Sequence, residues 1–518
     1  MASAPTREEL LGTAKKVSFE IQQNEVSEYE ELLARTKKTL ETVAAMDDYQ
    51  PTPDLTLHPR KDIHLPNPDS PSNPLNAWAW RFTLTSTSPA NTSLNGKTLC
   101  LKDNICVAGI PCLLGTSTIT NWTPQTDASI VPRILNASGT ITGKAVCENL
   151  SRGAVSSTAA TGPVHNPYAR GYSAGGSSSG TAALVASGDV DLGIGCDQGG
   201  SIRIPAALTG VYGVKPTAGL VPYTGIVSHE ASLDVVGPMA RGCRDVSVLL
   251  GVVAGWDGVD DRAGPGVPGF GDVPCYEMLM EGGIQGVRIG VLKEGLPGGI
   301  DAGVEEKFRR AVGVFEGLGA RVCEVSVPLH AQARSVYSVL SKMGNHMGML
   351  GQATGRRQVM LTDLYEKKGL PYKPEAVSKM SVMSKEGLLS GEFAWQHYPA
   401  VYPKAVNIMR KLKDLYDEVL SSVDVIVMPT TLCPARPLPA ANASPLAQID
   451  AAKGMTENTC SFNATGHPAL AMPIGFVPAE DASIQLPASM QIVGRWYDEA
   501  MILRCAYAWE QAVDWKGF

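Results

Sequence analysis

The sequence is that of a globular chain without a strong charge bias. It has 518 residues, of which 44% are hydrophobic and 18% charged, enough to bury a large core in one large or several modest domains. Its formal net charge of −7 combines 44 basic with 51 acidic residues. No long basic run occurs, so the composition argues against a nucleic-acid partner.

The sequence contains no pattern typical of secretion, membrane insertion or a metal centre. Its N-terminal residues lack the apolar segment of a signal peptide, and no uncharged apolar run reaches about 18 residues. The 11 cysteines stand singly, without CxxC spacing, which favours buried reduced thiols over disulfides or a zinc site. We therefore expect a cytoplasmic protein that needs no membrane, metal or cofactor.

The first 75 residues are predicted to form a small helical region followed by a proline-rich linker. Two capping-box patterns, Thr6 with Glu9 and Ser27 with Glu30, indicate helices in the first ~50 residues. These helices cap the main body or form a dimerisation arm, and the sequence leaves both open. Seven prolines between Pro51 and Pro74 argue for a linker or an extended surface wrap.

Residues 76–518 are predicted to form one domain in which strands and helices alternate. A strand within 94–107 carries Lys102, and a lysine in such a strand most often faces solvent. Further predicted strands and helices follow along the chain, at 131–135 (helix), 140–144, 288–292, 304–318 (helix), 322–327, 423–428, 469–476 and 498–511 (helix). This alternation favours the α/β class.

A stretch rich in glycine and serine, residues 175–201, is the candidate site. A helix is predicted over 181–186 and a buried strand over 190–194. Gly199, Gly200 and Ser201 then fall on a turn at the carboxyl end of that strand. Ligands usually bind at this end of a strand in open α/β sheets.

Two overlapping interpretations of the serines compete. The segments 171–175 and 176–180 both match G-x-S-x-G, the nucleophile elbow of α/β-hydrolases. However, the preceding GPVHNPYAR contains two prolines and no hydrophobic strand, which an elbow requires. A Ser-His-Asp triad would also need a late histidine, for which His467 is the candidate, so we do not favour this alternative.

Five segments together resemble the amidase signature family. They are KDN at Lys102, YSAGGSSSG ending at Gly180, GCDQGGSIRIPAALTGVYGVKPT around Ser201, SLDVVGPMAR ending at Arg241 and the weaker GHPALAMPIG near the C-terminus. The resemblance is strong from about residue 94 to 246, patchy beyond, and absent before 75. Ser179 and Cys196 depart from the commoner glycine and threonine without removing a catalytic group. The DQGGSIRIPA variant resembles the broad-specificity amidases of nitrile breakdown, which carry a dimerising N-terminal helical extension.

The resemblance implies a fold and a set of site residues. The fold would be the amidase signature fold, a large mixed central β-sheet covered by helices on both faces, with a small N-terminal helical region. Ser201 would be the nucleophile, Ser177 a bridging serine that follows a cis Gly176–Ser177 peptide bond, and Lys102 the base. Backbone N–H groups of Gln198, Gly199, Gly200 and Ser201 would form the oxyanion hole. Supporting roles would fall to Gly176, Ser178 and an Asp197–Arg203 ion pair.

The implied activity is hydrolysis of a carboxamide C–N bond through a serine acyl-enzyme, releasing ammonia or an amine and a carboxylic acid. A carbamate (urethane) or ester hydrolase with the same triad is an alternative, as is a glutamine-dependent amidotransferase subunit, which would need partner subunits. The expected partners are a small-molecule amide or carbamate and a second copy of the chain. The segment 329–420 reads as a helical insertion without a recognisable motif, and we expect it to determine substrate specificity.

Overall fold

A computed structural model describes residues 5–68, 70–352 and 354–518 of the chain. The first four residues, on which part of the argument about a signal peptide rests, lie outside the described residues. Asp69 of the predicted N-terminal region and Ala353 of the predicted helical insertion also lie outside them. Contacts divide the chain into two compact units, with the break after Pro51.

In the part that the structure describes, the first unit contains two helices, α1 (Arg7–Lys16) and α2 (Val26–Ala44). The predicted capping box at the start of α1 is present, because the Thr6 side chain accepts from the Glu9 N–H and the Glu9 carboxylate accepts from the Thr6 N–H. The helices predicted for the first ~50 residues are therefore confirmed.

The second predicted capping box is wrong. Helix α2 has Glu25 as its N-cap, without a side-chain capping hydrogen bond. The Glu28 N–H donates to the Glu25 carbonyl at 3.0 Å, which closes the first helical turn around Ser27. Ser27 thus lies within the helix, where its side chain cannot act as the N-cap.

The described residues of the second unit form one mixed sheet of 12 strands. The strands are β1 (Arg60–His64), β2 (Trp78–Leu84), β3 (Thr98–Lys102), β4 (Thr140–Ala145), β5 (Leu192–Asp197), β6 (Tyr212–Lys215), β7 (Val235–Ala240), β8 (Arg288–Leu292), β9 (Arg321–Val325), β10 (Val425–Pro429), β11 (Ala469–Pro478) and β12 (Gln485–Val493). Their order across the sheet is β1-β2-β4-β3-β5-β7-β6-β11-β12-β10-β8-β9. Pairing is parallel between β3 and β4, β3 and β5, β8 and β9, and β8 and β10, and antiparallel between the remaining neighbours.

Helices connect most of the strands. They are α3 (Ile130–Asn136), α4 (Ser179–Ser187), α5 (Arg203–Thr209), α6 (Cys243–Val253), α7 (Tyr276–Leu279), α8 (Ala302–Gly317), α9 (His330–Met349), α10 (Thr362–Lys368), α11 (Pro374–Ser378), α12 (Val382–His397), α13 (Val401–Ser422), α14 (Pro445–Asp450), α15 (Cys460–Thr465) and α16 (Glu499–Ala512). Short 3₁₀ turns lie at Asn149–Ser151, Phe270–Asp272, Met280–Gly282 and Lys293–Gly295.

The helices cover both faces of the sheet. Alternate side chains of a strand point to opposite faces, and in β3 Leu99 packs in a cluster that includes Ile134 of α3, whereas Cys100 packs in a second cluster with Leu184 of α4. Because the residues of both clusters are buried, helical layers cover the two faces of the sheet. The predicted architecture is therefore confirmed.

The proline-rich stretch contributes an edge strand. Strand β1 pairs antiparallel with β2 at one end of the sheet and exposes four of its five residues. The position agrees with the expectation that prolines exclude a central strand. Residues 52–75, grouped in the sequence analysis with the N-terminal region, lie in the second unit because β1 joins its sheet.

The segment 329–420 is mainly helical in its described part and includes α9 to α12 and most of α13. Helix α9 packs against α12, α13 and α15. Among the described residues, no helix is long and apolar enough to cross a membrane.

Candidate active site

Lys102 and Ser177 form a buried contact at the carboxyl end of β3. Lys102 Nζ lies 2.7 Å from Ser177 Oγ and 3.3 Å from the Cys196 carbonyl oxygen. Lys102 and Ser177 are each only 1% exposed. The expectation that a lone strand lysine faces solvent is therefore wrong here, because β3 lies in the interior of the sheet and its carboxyl end points into the site.

Strand pairing explains why Lys102 reaches the serines. Strands β3 and β5 are parallel, with Leu101 opposite Ile194. Their carboxyl ends therefore lie side by side. The turn that carries Ser201 directly follows β5. Lys102 and this turn therefore lie at the same end of the two neighbouring strands.

The loop that carries Ser177 is hydrogen-bonded to Glu148, to strand β5 and to the Ser201 turn. The Gly176–Ser177 peptide bond is cis, as the resemblance implied. The Ser177 carbonyl accepts from the Glu148 N–H at 3.2 Å, and the Ser178 N–H donates to the Ser201 carbonyl at 3.2 Å. The Ser178 hydroxyl also donates to the Cys196 carbonyl at 3.1 Å. These bonds join the cis peptide segment to β5 and to the Ser201 turn.

Glu148 packs against the loop that carries Ser177, and the sequence analysis did not identify it as a site residue. Its carboxylate accepts from the Val155 N–H at 3.1 Å and from the Thr158 N–H at 2.8 Å. A Cβ added to Gly176 would lie 2.9 Å from Glu148 Oε1, so only glycine fits against this carboxylate. Burial raises the pKa of Glu148 above its usual value, and the hydrogen bonds from Thr158 oppose that shift.

The Ser201 turn is shaped by the Asp197 carboxylate. Asp197 Oδ1 accepts from the Gly200 N–H at 2.7 Å, and Oδ2 accepts from the Ile202 N–H at 3.0 Å. Gly200 has a φ of 133°, a backbone conformation that side chains with a Cβ rarely adopt. The aspartate and the glycine thus set the path of the backbone on either side of the nucleophile candidate.

The predicted ion pair between Asp197 and Arg203 is present. Arg203 Nη2 lies 3.0 Å from Asp197 Oδ1, and Nε donates to Oδ2 at 3.1 Å. The remaining donors of Arg203 reach the Thr459 carbonyl, Gln491 Oε1 and Asn463 Oδ1. Burial acts to raise the pKa of Asp197, but the charge and hydrogen bonds of Arg203 outweigh it and hold this pKa well below its usual range.

The backbone N–H groups expected to form an oxyanion hole differ in their bonding. The Gly200 N–H is engaged by Asp197. Within the described residues, the hydrogen bonds of this turn do not use the N–H groups of Gln198, Gly199 or Ser201. Three of the four predicted donors therefore remain candidates for a developing oxyanion, and Gly200 instead supports the turn.

A cavity of about 560 Å³ opens onto the Ser201 turn. Its lining includes Ser201, Gly199, Arg152, Tyr337 of α9 and Met383 of α12. A second cavity of about 20 Å³ is lined by Lys102, Ser177 and Arg152 among others. Ser201 is partly exposed, whereas Lys102 and Ser177 are buried, so a ligand in the large cavity would meet Ser201 first.

Helix α9 closes the cavity over the turn and was not identified from the sequence as part of the site. A Cβ added to Gly199 would lie 2.2 Å from Tyr337 Oη, so the tyrosine packs directly on this glycine. Burial raises the pKa of Tyr337 to about 12. The hydroxyl is therefore protonated at neutral pH and can donate a hydrogen bond into the cavity.

The Gln198 side chain is held by a polar network. Gln198 Nε2 donates to Asp234 Oδ1 at 2.7 Å and to Asn345 Oδ1 at 3.0 Å, and Asn345 Nδ2 donates back to Gln198 Oε1 at 2.7 Å. Asp234 lies in the SLDVVGPMAR segment, to which sequence analysis assigned no role. The network positions Gln198 through contacts between residues more than 30 positions apart. A local sequence pattern cannot predict such contacts.

His467 does not face a serine. Its Nδ1 lies 2.8 Å from Thr465 Oγ1 and its Nε2 lies 3.0 Å from Asp417 Oδ1. The imidazole is fully buried and packs edge-on against Tyr416. Both ring nitrogens are thus occupied, and this geometry gives no support to the Ser-His-Asp alternative.

Among the described residues, no group of three or more His, Cys, Asp or Glu side chains could hold a metal ion.

Comparisons with known proteins agree with this architecture. The Amidase family model matches residues 76–503. The chain is 37% identical over 457 residues to an enantioselective amidase of Rhodococcus rhodochrous, covering 86% of this chain and 85% of that protein. It is 32% identical over 430 residues to a glutamyl-tRNA(Gln) amidotransferase subunit of Chloroflexus aurantiacus, covering 82% and 84%. The solved peptide amidase of Stenotrophomonas maltophilia superposes with a TM-score of 0.64 at 28% identity, covering 81% and 83%. A match of this extent shows that the chain belongs to the amidase family and is an amide-hydrolysing enzyme.

Proposed function

We propose that the chain hydrolyses small carboxamides through an acyl-enzyme on Ser201, with Ser177 and Lys102 as its proton relay. The observation that carries the proposal is the buried 2.7 Å contact between Lys102 Nζ and Ser177 Oγ. The next residue, Ser178, donates its N–H to the carbonyl of Ser201, the serine that lines the large cavity. A serine hydroxyl becomes a good nucleophile only when a base takes its proton. The buried lysine is placed to act as that base through Ser177.

The reaction divides into two half-reactions. In the first, Ser201 Oγ bonds to the amide carbonyl carbon while its proton passes to Ser177 and the Ser177 proton to Lys102. The tetrahedral intermediate then collapses, the C–N bond breaks, and the leaving nitrogen takes a proton back through Ser177. In the second, water attacks the acyl ester by the same route, which releases the carboxylic acid and restores Ser201.

The oxyanion of each tetrahedral intermediate would be stabilised by the N–H groups of Gln198, Gly199 and Ser201. Gly200 is left out because its N–H donates to Asp197. Removing one such donor commonly costs about 3 kcal/mol of transition-state stabilisation. The bond from Gly200 to Asp197 instead holds the other donors in place.

Hydrolysis of carbamates or esters is compatible with the same residues, because these compounds present a similar carbonyl carbon to Ser201. Membership of a glutamine-dependent amidotransferase is a second candidate function, favoured by the 32% identity to the Chloroflexus aurantiacus protein. That function would require partner chains, so hydrolysis of amides by the purified chain alone decides between the two. A homodimer in the cytoplasm remains our expectation for the assembly and its location.

An acyl-transfer assay tests the proposal. Butyramide and benzamide are incubated with the purified chain and hydroxylamine, which intercepts an acyl-enzyme as a hydroxamate. We expect hydroxamate formation by the wild type, none by Ser201→Ala, and an acyl adduct on the Ser201 peptide by mass spectrometry. Turnover by Ser201→Ala, or an adduct on another residue, would contradict the proposal.

A further inference from the structure

The guanidinium of Arg152 lines the same cavity as the candidate nucleophile Ser201, with part of its hydrogen-bonding capacity unused. Its Nε and Nη1 atoms are buried and have no hydrogen-bond partner among the described residues. The same side chain lines both the large cavity that contains Ser201 and the small cavity that contains Lys102 and Ser177. A buried charge normally has an ion-pair or hydrogen-bond partner, because desolvation is costly.

The other cations of the cavity wall are paired. Arg334 Nη1 lies 3.1 Å from Glu457 Oε1, and Lys342 Nζ lies 2.5 Å from Glu386 Oε1. Glu386 acts electrostatically on Arg152, but its carboxylate already accepts from Lys342 and from Ser390 at 2.6 Å. Arg152 therefore contributes a positive charge that the wall itself does not neutralise by contact.

The guanidinium also packs closely against helix α12. A Cβ added to Gly387 of α12 would lie 2.5 Å from Arg152 Nη2 and 2.7 Å from its Cζ. The planar group thus lies against the backbone of α12 at a residue without a side chain. A planar guanidinium with unused donors is suited to a planar carboxylate, which it binds through charge-assisted hydrogen bonds.

We propose that Arg152 binds a carboxylate of the substrate, so that the natural substrate is an amide that also carries a carboxylate group. This inference rests on the proposed amide hydrolysis at Ser201 and specifies its substrate class. Arg152 acts here as a substrate-binding residue and takes no part in the proton relay. Bound substrate would supply the partner that the guanidinium lacks.

Matched substrates and variants test the inference. Succinamate is compared with 4-oxopentanamide, in which an acetyl group replaces the carboxylate, and N-butanoyl-β-alanine with its neutral N-(3-oxobutyl) analogue. The two pairs place the carboxylate on the acyl side and on the amine side of the scissile bond. We expect wild type to have the higher kcat/KM for the carboxylate member of at least one pair. In Arg152→Gln that preference should fall about 10- to 100-fold, the size of a lost charge-assisted hydrogen bond.

Arg334→Gln is the matched control, since it removes an arginine charge from the same cavity wall at a paired position. Its preference ratio should stay within about threefold of wild type, and Arg152→Lys, which keeps the charge, should lose less than Arg152→Gln. An equal loss in Arg334→Gln would assign the preference to the general positive potential and overturn the inference. A wild type without a preference would also overturn the inference. The same holds if the kcat/KM of Arg152→Gln falls by the same factor for both members of a pair.

A binding measurement separates this inference from the proposed function. Glutarate is titrated calorimetrically into Ser201→Ala and into Ser201→Ala combined with Arg152→Gln, neither of which needs to turn over. Binding to the first and at least tenfold weaker binding to the second supports the carboxylate site even if no amide tested is hydrolysed. No binding to either, or equal binding to both, overturns it even if neutral amides are hydrolysed.

Discussion

Asp197 and Arg203 face each other through two hydrogen-bonded contacts, and both side chains are fully buried. Because Asp197 also accepts from the Gly200 N–H, the ion pair and the nucleophile turn form one structure. The arginine does not react in the proposed mechanism, but the geometry around Ser201 depends on it.

Replacement of Arg203 by lysine should therefore destabilise the protein and lower its activity. A lysine cannot reproduce the fork that reaches Asp197, Asn463 and Gln491, so buried acceptors lose their donors. We expect the free energy of unfolding to fall by about 3 kcal/mol, measured by urea denaturation. A variant within about 1 kcal/mol of wild type would show that the ion pair contributes little to the fold.

Replacement of Ser177 by alanine should lower kcat/KM at least ~100-fold, because the proton relay between Ser201 and Lys102 is interrupted. The matched control is Ser179→Ala, a buried serine two positions on whose hydroxyl donates to the Val146 carbonyl at 3.4 Å. Steady-state amide hydrolysis is measured for both variants. Equal losses in the two would mean that the segment tolerates no change, and would remove the evidence for a relay.

A comparison of Lys102→Met with His467→Gln separates the two serine mechanisms. Lys102→Met should abolish turnover, because the contact with Ser177 is lost. His467→Gln should lose about 1–3 kcal/mol of stability with its buried hydrogen bonds and keep most of its kcat, since the imidazole contacts Thr465 and Asp417. Folding is checked by thermal denaturation of both variants. If the histidine variant were folded and inactive while Lys102→Met turned over, the lysine mechanism would be wrong.

The fully buried Lys215 should make stability depend on pH. Burial, followed by the charge of Arg203, lowers the pKa of Lys215 to about 7 in the folded protein, against about 10.4 in the unfolded chain. Between these values the unfolded chain binds more protons, so the contribution of Lys215 to stability rises with pH across this window. Lys215→Met should therefore gain most relative to wild type at pH values near or below about 7 and lose that advantage towards about 10.4.

The measurement for Lys215 is urea denaturation of both proteins across this pH range. Lys215 Nζ also donates to the Pro216 carbonyl at 2.9 Å, and losing that bond costs the variant a similar amount at every pH. The pH-dependent part of the difference is therefore the diagnostic quantity. A constant difference across the range would contradict the lowered pKa.

Deletion of residues 1–51 tests the expected homodimer. Helix α2 exposes Leu32, Leu40 and Val43, at 52%, 65% and 62%, at positions that share one face of a helix. If this face binds a second copy of the chain, the truncated protein should be a monomer by light scattering and still hydrolyse amides. An unchanged number of chains per particle would show that these helices do not form the dimer interface.

The sequence by itself predicted the candidate site residues and most of the strands and helices near them. The segments around Lys102, Ser177 and Ser201 carry short-range patterns of glycine, serine and apolar residues, and these depend on neighbours along the chain. The strand and turn predicted before Ser201 are present as β5 and the residues that follow it. The helix predicted at 304–318 is α8 for the same reason, since its periodicity is local.

Only the tertiary structure decided which side chains surround these residues. Arg152 stands in a polar, turn-rich segment whose sequence does not reveal that its guanidinium lies over Gly387. Gln198 is fixed by Asn345, which is 147 residues away, and the proline-rich stretch provides an edge strand because β2 offers it a partner. Burial and long-range hydrogen bonding depend on packing between distant segments, and that packing determines the shape and charge of the cavity.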